Sequence, residues 1–436
     1  MKKLGSHRSS GGSIIGALAV LLAATSVAGC ASTVKGAAAA GEISLEQLTV
    51  GNYPTEPLDV RFSYQHTALD ARALALGRLA DNVVVGADVD PKFGHNVLAL
   101  SMDNLATAKA TQVLAGAVRP VLESNGMMFG FSTTASTREL PKSRQRDRSG
   151  NFNPFDGALG DPEATAFNVT VLQFPDRERA RAAADQMEAA DFGVSADQNV
   201  HITLDKQPDA KAHWRPGIPS MAATMAYGQY AVNVYVAQPK PDLDGLRTLA
   251  QQVFAAQLPL LDKAPALSPH EILRLDYDPD EMQRRTLHPK EYLRPHPVSE
   301  ATHTPRGHLH YVDDQATWKR LLDDNGVDRV SNATMGGQVF RTRDAQAAAT
   351  LWSGIKQTAS GSAEASANVP DISCSAEPKD KFEEAWYAFD LPASSTVYVC
   401  ALHYGRYVAR VASPQLVDVQ QRAAAQYALL AKSQFM

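Results

Sequence analysis

Five of the twelve histidines in this 436-residue chain, His288, His296, His303, His308 and His310, fall within one short stretch. Imidazole is a common metal ligand and a general base near neutral pH. On a strand, "HLH" places His308 and His310 on one face, with Asp313 and Asp314 close behind. That is how a metal site can begin, so His308 and His310 are candidate ligands. No H-E-x-x-H helix or spaced Cys/His set completes it, and histidine is also an ordinary polar residue of Pro-rich loops. No metal and no cofactor is assigned. "DYDPDE", Asp276 to Glu281, alternates acids as a calcium loop does. Its sixth position is Glu281 where an EF-hand needs glycine, and its twelfth is Leu287 where it needs glutamate. It reads as a solvated turn.

Nucleophilic catalysis has no G-x-S-x-G elbow to rest on. Ser132 and Ser136, in "GFSTTASTREL", read as a polar strand end. A Ser/His/Asp site assembled only by folding stays open as an alternative. Of three cysteines, Cys30 follows an apolar run, which leaves Cys374 and Cys400 as an even pair. In an oxidising compartment that pair reads as a structural disulfide. Tyr227, Tyr230, Tyr404 and Tyr407 can line a groove between modules, but paired tyrosines more often pack on a neighbouring helix with wet hydroxyls.

The elements that carry these residues occur twice. "YGQYAVNV" (Tyr227 to Val234) and "YGRYVARV" (Tyr404 to Val411) each pair a turn glycine with an apolar strand. Each leads to a helix. Leu243, Leu246, Ala250 and Val253, and Leu416, Val419, Ala423, Tyr427 and Leu430, recur at three and four residues, the stripe of one buried helix face. Upstream, "FNVTVLQFPDRERARAAADQM" and "GGQVFRTRDAQAAATLWSGI" repeat a strand, a turn with Asp176 or Asp344 as N-cap, and a helix. The expected fold is α+β, in two duplicated modules, each an antiparallel sheet packed against helices. The N-terminal module spans 46–264 and the C-terminal one 306–436. Between them, residues 265–305 are Pro-rich and read as a surface linker. "TALDARALALGRLADNVV" and "LATAKATQVLAGAV" read as further helices, and "PKSRQRDRSGNFNPFDGALGDP" as a polar loop.

The beginning of the chain indicates location. Lys2, Lys3 and Arg8 precede "SIIGALAVLLAATSVAG", the charged and apolar regions of a signal peptide over residues 1–29. "VAGC", Val27 to Cys30, resembles the lipobox of bacterial lipoproteins, which implies a diacylglyceryl group on Cys30. Two acyl chains suffice for stable anchoring. Residues 30–45 then form a lipidated tether. A net charge of −5 without a basic stripe argues against nucleic acid as a partner. Aromatic content of 7% argues against a face of stacked rings for carbohydrate.

"LTVGNYPTEP", "NGVDRV", "VFRTRDAQAAA" and "GRYVARV…QQRAAAQYALL" resemble a family of actinobacterial lipoproteins classed as a domain of unknown function. The resemblance covers most of the chain beyond the tether and implies an anchored envelope protein with N- and C-terminal modules. It assigns no catalytic residue. The hairpin-then-helix order is also loosely similar to the extracellular sensor domains of mycobacterial serine/threonine kinases. The functional expectation is a binding or scaffold lipoprotein of the envelope, engaging an unknown ligand, lipid or protein partner. The alternative is an extracytoplasmic hydrolase.

Overall fold

The computed structural model describes residues 43–59, 64–103, 110, 112–139, 163–289, 294–334, 336–365, 368–378 and 396–435. The signal region, Cys30 and the 141–162 loop lie outside the described residues, as do parts of the 105–118 segment. Among the described residues no helix is long and apolar enough to cross a membrane.

Two antiparallel sheets carry the fold. The first is built from β1 (His95–Asp103), β2 (Phe129–Ser136), β3 (Ala166–Gln173), β4 (Val200–Ile202), β5 (Lys211–Trp214), β6 (Ser220–Tyr227) and β7 (Tyr230–Ala237), in the order β1-β2-β3-β7-β6-β5-β4. The second contains β8 (Ala301–His303), β9 (Arg329–Asn332), β10 (Gly337–Arg341), β11 (Ile372–Pro378), β12 (Thr396–Tyr404) and β13 (Tyr407–Ser413), in the order β11-β12-β13-β10-β9-β8. Read from the opposite edge, the second order is β8-β9-β10-β13-β12-β11, which matches the first strand for strand through β5. The fold is α+β and its two modules share one topology.

The helices follow the same plan. The N-terminal module holds α1 (Ala68–Ala80), α2 (Gly86–Val89), α3 (Arg119–Ser124), α4 (Arg177–Gly193) and α5 (Leu243–Asp262). After α6 (Pro269–Ile272) come α7 (Pro305–Leu309), α8 (Gln315–Asp324), α9 (Ala345–Thr358) and α10 (Leu416–Lys432). Asp176 caps α4 by accepting the Arg179 N–H, and Asp344 caps α9 by accepting the Ala347 N–H. In both octets the hairpin turn has positive φ at its glycine, Gly228 at 60° and Gly405 at 54°, and at no other turn residue. That is the type II′ arrangement, whose twist suits two-residue hairpins. Tyr227 pairs with Tyr230 across one turn, and Tyr404 with Tyr407 across the other.

Alternation along the strands explains the two-sided packing. Phe131, Phe167, Val169, Val171, Val232 and Val234 face α1 and α5, while Met102, Leu172 and Ala231 face α3 and α4. In the second module Val330, Phe340, Ala401 and Val408 meet α8 and α9 through Trp318, Leu322 and Leu351. α10 covers the strands β12 and β13 with the expected stripe, Val419, Ala423 and Leu430 being buried.

Four local expectations need correction. The 265–305 stretch does not run over the surface: Ile272, Tyr277, Met282, Gln283, Leu287, His288 and His303 are all buried. Its prolines punctuate a packed segment, and Leu48–Met436 forms one compact unit. "HLH" is not a strand. His308 lies in α7 and His310 is its C-cap, so the two do not share a sheet face. "DYDPDE" is not solvated either. Asp278 is buried and accepts the Gln283 and Arg284 N–H groups, and Asp280 pairs with Arg329 and Arg341. Finally, the hairpin tyrosines pack as expected, but their hydroxyls find protein partners. Tyr230 donates to the Ala264 carbonyl at 2.9 Å, Tyr227 to Asp262 at 2.6 Å and Tyr404 to Gln434 at 3.2 Å.

The first residues of the unit are fastened to its last helix. Tyr53 Oη donates to Asp418 Oδ1 at 2.5 Å and accepts from Arg422 Nε at 3.1 Å. Lys432 bonds Thr55 and pairs with Glu56. "LTVGNYPTEP" is thus an irregular strap on α10 and forms no edge strand.

Candidate ligand groove beside helix α1

Helix α1 begins with a capping box: Thr67 Oγ1 accepts the Asp70 N–H, and Asp70 Oδ2 accepts the Thr67 N–H. Ala71, Ala75, Leu76, Leu79 and Ala80 turn toward the sheet and are buried. Leu69, 48% exposed, Arg72 and Ala73 are left on the outer side, where cavities surround them. One, about 490 Å³, lies between α1, the end of the edge strand β1 and residues 294–298. Its walls are mainly apolar (Leu69, Leu76, Leu100, Pro297, Val298), with Asp70, Ser101, Asp103 and Arg294 as polar groups. A second, about 300 Å³, shares Arg72 with the first, lies over Met128, Phe129, Ile272 and Leu273 and is almost wholly apolar. A third, about 220 Å³, lies toward Tyr277, Glu300 and Arg329 and shares Ala73, Pro295 and His296 with the first. Concave, mostly apolar volumes with a few convergent polar groups are the usual form of small-molecule sites.

The polar groups around the groove are held by the packed 265–305 segment. Arg294 Nε stands 3.9 Å from Asp70 Oδ1. Tyr64 stacks on Tyr277 with centroids 4.6 Å apart. Burial raises the pKa of both phenols. Asp70 and Asp276 add to the effect at Tyr64, and Glu300 and Asp278 at Tyr277. Burial also raises the Asp278 carboxyl, against the N–H bonds of Gln283 and Arg284 that favour its ionised form. His288 Nδ1 lies 3.3 Å from Glu300 Oε2.

The histidines are positioned for structure. His310 Nε2 is 3.1 Å from the Ala80 carbonyl, so it carries the proton, and Nδ1 accepts from Thr133 Oγ1 at 3.1 Å. Burial lowers its pKa to about 4, which keeps the ring neutral at pH 7. His308 packs edge-on against Trp318 and Phe340. Among the described residues no three His, Cys, Asp or Glu side chains come together as a metal site. His296 and Ser299 are a Ser–His pair at 3.1 Å, but the same Nδ1 faces the N–H groups of Val298 and Ser299. This is the hydrogen bonding of a tight turn, and Ser299 lines none of the three cavities. An S-x-x-K spacing unnoticed in the sequence, Ser353 to Lys356, lies on α9 with the Lys356 ammonium over the Trp352 ring, 4.4 Å from its centroid.

A further cavity, about 320 Å³, opens in the second module between the end of α9 and strands β11 to β13, lined by Lys356, Ser373, Ser375, Glu377 and Arg410. Beside it, Cys374 and Cys400 are directly opposed on β11 and β12 and joined, with Cα atoms 4.1 Å apart. Sequence reasoning missed the groove because it is formed by α1, β1 and the 294–298 segment together, which are remote in sequence.

The chain belongs to the family described as domain of unknown function DUF7373. Its N-terminal model matches residues 62–277 and its C-terminal model residues 282–433. No curated protein matches. Among solved structures the chain is similar to the extracellular domain of PknH from Mycobacterium tuberculosis, at 14% identity and a TM-score of 0.25, over 42% of this chain and 93% of that one.

Proposed function

We propose that this protein is a non-enzymatic binding protein of the cell envelope, anchored through lipidated Cys30, whose ligand occupies the groove beside α1. The carrying observation is the pair of neighbouring cavities, about 490 and 300 Å³, that share Arg72 between the N-terminal module and the 265–305 segment. An oxidising, extracytoplasmic location is supported by the Cys374–Cys400 bridge, since disulfides persist in such compartments. The full chain carrying Cys30→Ser, expressed in an actinobacterial host, should show an added mass in native mass spectrometry that disappears on denaturation. Ala73→Trp, which fills the groove, should remove that mass. Bare protein under both conditions would overturn the ligand reading. Anchoring is tested separately: metabolic labelling with a palmitate analogue should mark the wild-type chain and not Cys30→Ser.

A further inference from the structure

Two polar side chains that line the cavity of about 490 Å³, Ser101 and Asp103, have a buried oxygen without a partner, and Asp103 is the charged one. Asp103, the last residue of β1, lines the cavity, and its Oδ1 is buried with no hydrogen-bond donor on it. The register explains the placement. Ser101 pairs with Phe131 and Asp103 with Phe129, so both point to the side of the sheet that α1 covers, at its open edge. The other acid of the cavity, Asp70, is occupied by its capping box and by Arg294. A carboxylate oxygen shielded from water is stabilised by a donor or a cation, and in the free chain no donor is on Asp103 Oδ1.

We infer that the groove binds a small amphiphile bearing a primary or secondary ammonium group, with the N–H on Asp103 and the apolar body along Leu69, Leu76 and Val298. Two features restrict the class. Oδ1 lacks a donor, which an N–H⁺ supplies and a quaternary ammonium does not. Phe, Tyr and Trp are absent from the described lining of this cavity, so the aromatic cage that holds quaternary ammonium is not built. A second, nearly apolar cavity shares Arg72 with the first.

This inference rests on the groove being a ligand site, and the test separates the two. The full chain is titrated by ligand-observed NMR with n-hexylammonium, 1-hexanol and hexanoate, matched in chain length. Hexylammonium should bind at least tenfold more tightly than either, and Asp103→Asn, nearly isosteric, should remove that preference. The comparison of the three probes on the wild-type chain does not depend on the variant folding. Equal binding of hexylammonium and hexanol, abolished by Ala73→Trp and indifferent to Asp103→Asn, would overturn the ammonium assignment while leaving the groove as a site. Binding by none of the three, or binding unaffected by Ala73→Trp, would overturn both.

Discussion

The N- and C-terminal modules have one strand order, so residues at matching register show what each copy keeps and what it changes. A polar row crosses both sheets at one level. In the first it is Ser132, Thr170, Asn233 and Thr224, aligned by register, with Ser132 bonding Thr170 and Asn233 bonding Thr224. In the second it is Asn332, Gln338 and Arg410, with Gln338 donating to Asn332 and Arg410 to Gln338. The helix that closes each module repeats a clip. Gln257 of α5 accepts the Val84 N–H and donates to the Asn82 carbonyl, and Gln426 of α10 does the same with Leu287 and Arg285. Even the turn before the second strand recurs. Asn125 and Asn325 bond back to Val121 and Leu321, and Gly126 and Gly326 follow at φ 67° and 55°.

The differences lie where the copies could bind something. Ahead of its clip the N-terminal module has the thirteen-residue α1 with its groove, whereas the C-terminal module has one 3₁₀ turn, Gln283–Arg285. At the end of α4 the buried Glu188 meets His213 on β5 at 3.3 Å. Burial opposes the charged form of His213, but Glu188 and Asp191 together raise its pKa. In the other copy the matching ground, beside Lys356 and Ser375, is the 320 Å³ cavity. The Cys374–Cys400 pair faces across β11 and β12 where the first copy sets Ala212 against Ala223. Duplication preserved the polar row, the clip and the hairpin, and changed the helices and the edge strands.

The clips give the strongest test of equivalence. Gln426→Ala leaves a buried N–H and a buried carbonyl unpaired, and Gln257→Ala a buried N–H and a half-buried carbonyl. At roughly 1–3 kcal/mol per group, each should lower unfolding stability by about 4 kcal/mol. Urea denaturation measures both. A loss at Gln426 without one at Gln257 would break the correspondence. Next is the bridge. Replacing Cys374 and Cys400 by Ala should cost about 3 kcal/mol, the chain-entropy value for a loop of this size. Conversely, Cys introduced at Ala212 and Ala223 should oxidise with loss of two hydrogens in the intact mass. Free thiols in that variant would show that the two sheets differ in register geometry.

His310 joins the copies and carries a pH signature. Its folded pKa of about 4 lies below the ordinary histidine value of about 6.5. As pH falls through that window the unfolded chain takes up a proton that the folded chain refuses. Stability should therefore be intact above about 6.5 and decline by about 3 kcal/mol toward pH 4. Asn, which can still donate to Ala80, should flatten this slope. An unchanged slope in His310→Asn would assign the acid sensitivity to other groups.

Periodicity made the repeated core legible from sequence: the Tyr-Gly-x-Tyr hairpins, the Asp176 and Asp344 caps and the stripes of α5 and α10 are local patterns. The packed 265–305 segment was not, because proline content mimics a linker unless one knows that Gln426 and Gly336 receive its backbone. A Cβ at Gly336 would stand 1.9 Å from the Leu287 carbonyl oxygen. The groove escaped for the same reason. Asp103 is an ordinary strand-end acid in sequence, and only the burial of its Oδ1 singles it out.

The smallest predicted effect is also the most direct comparison of the copies. Asp176 accepts the Arg179 N–H at 2.7 Å and Asp344 the Ala347 N–H at 2.8 Å, both from extended N-cap backbones. Each side chain is more than half exposed, so the bond is made at a wet helix end where water competes. Truncation to Ala should cost about 1 kcal/mol in either copy, near the middle of the range for N-caps. Asp176→Asn and Asp344→Asn should restore most of it, because asparagine caps as well as aspartate. If Asn rescues one site and not the other, the uncompensated copy owes its stability to charge at the helix N-terminus rather than to the cap hydrogen bond. The urea midpoints of the four variants, measured in low and high salt, distinguish the two causes, since only the charge contribution is screened.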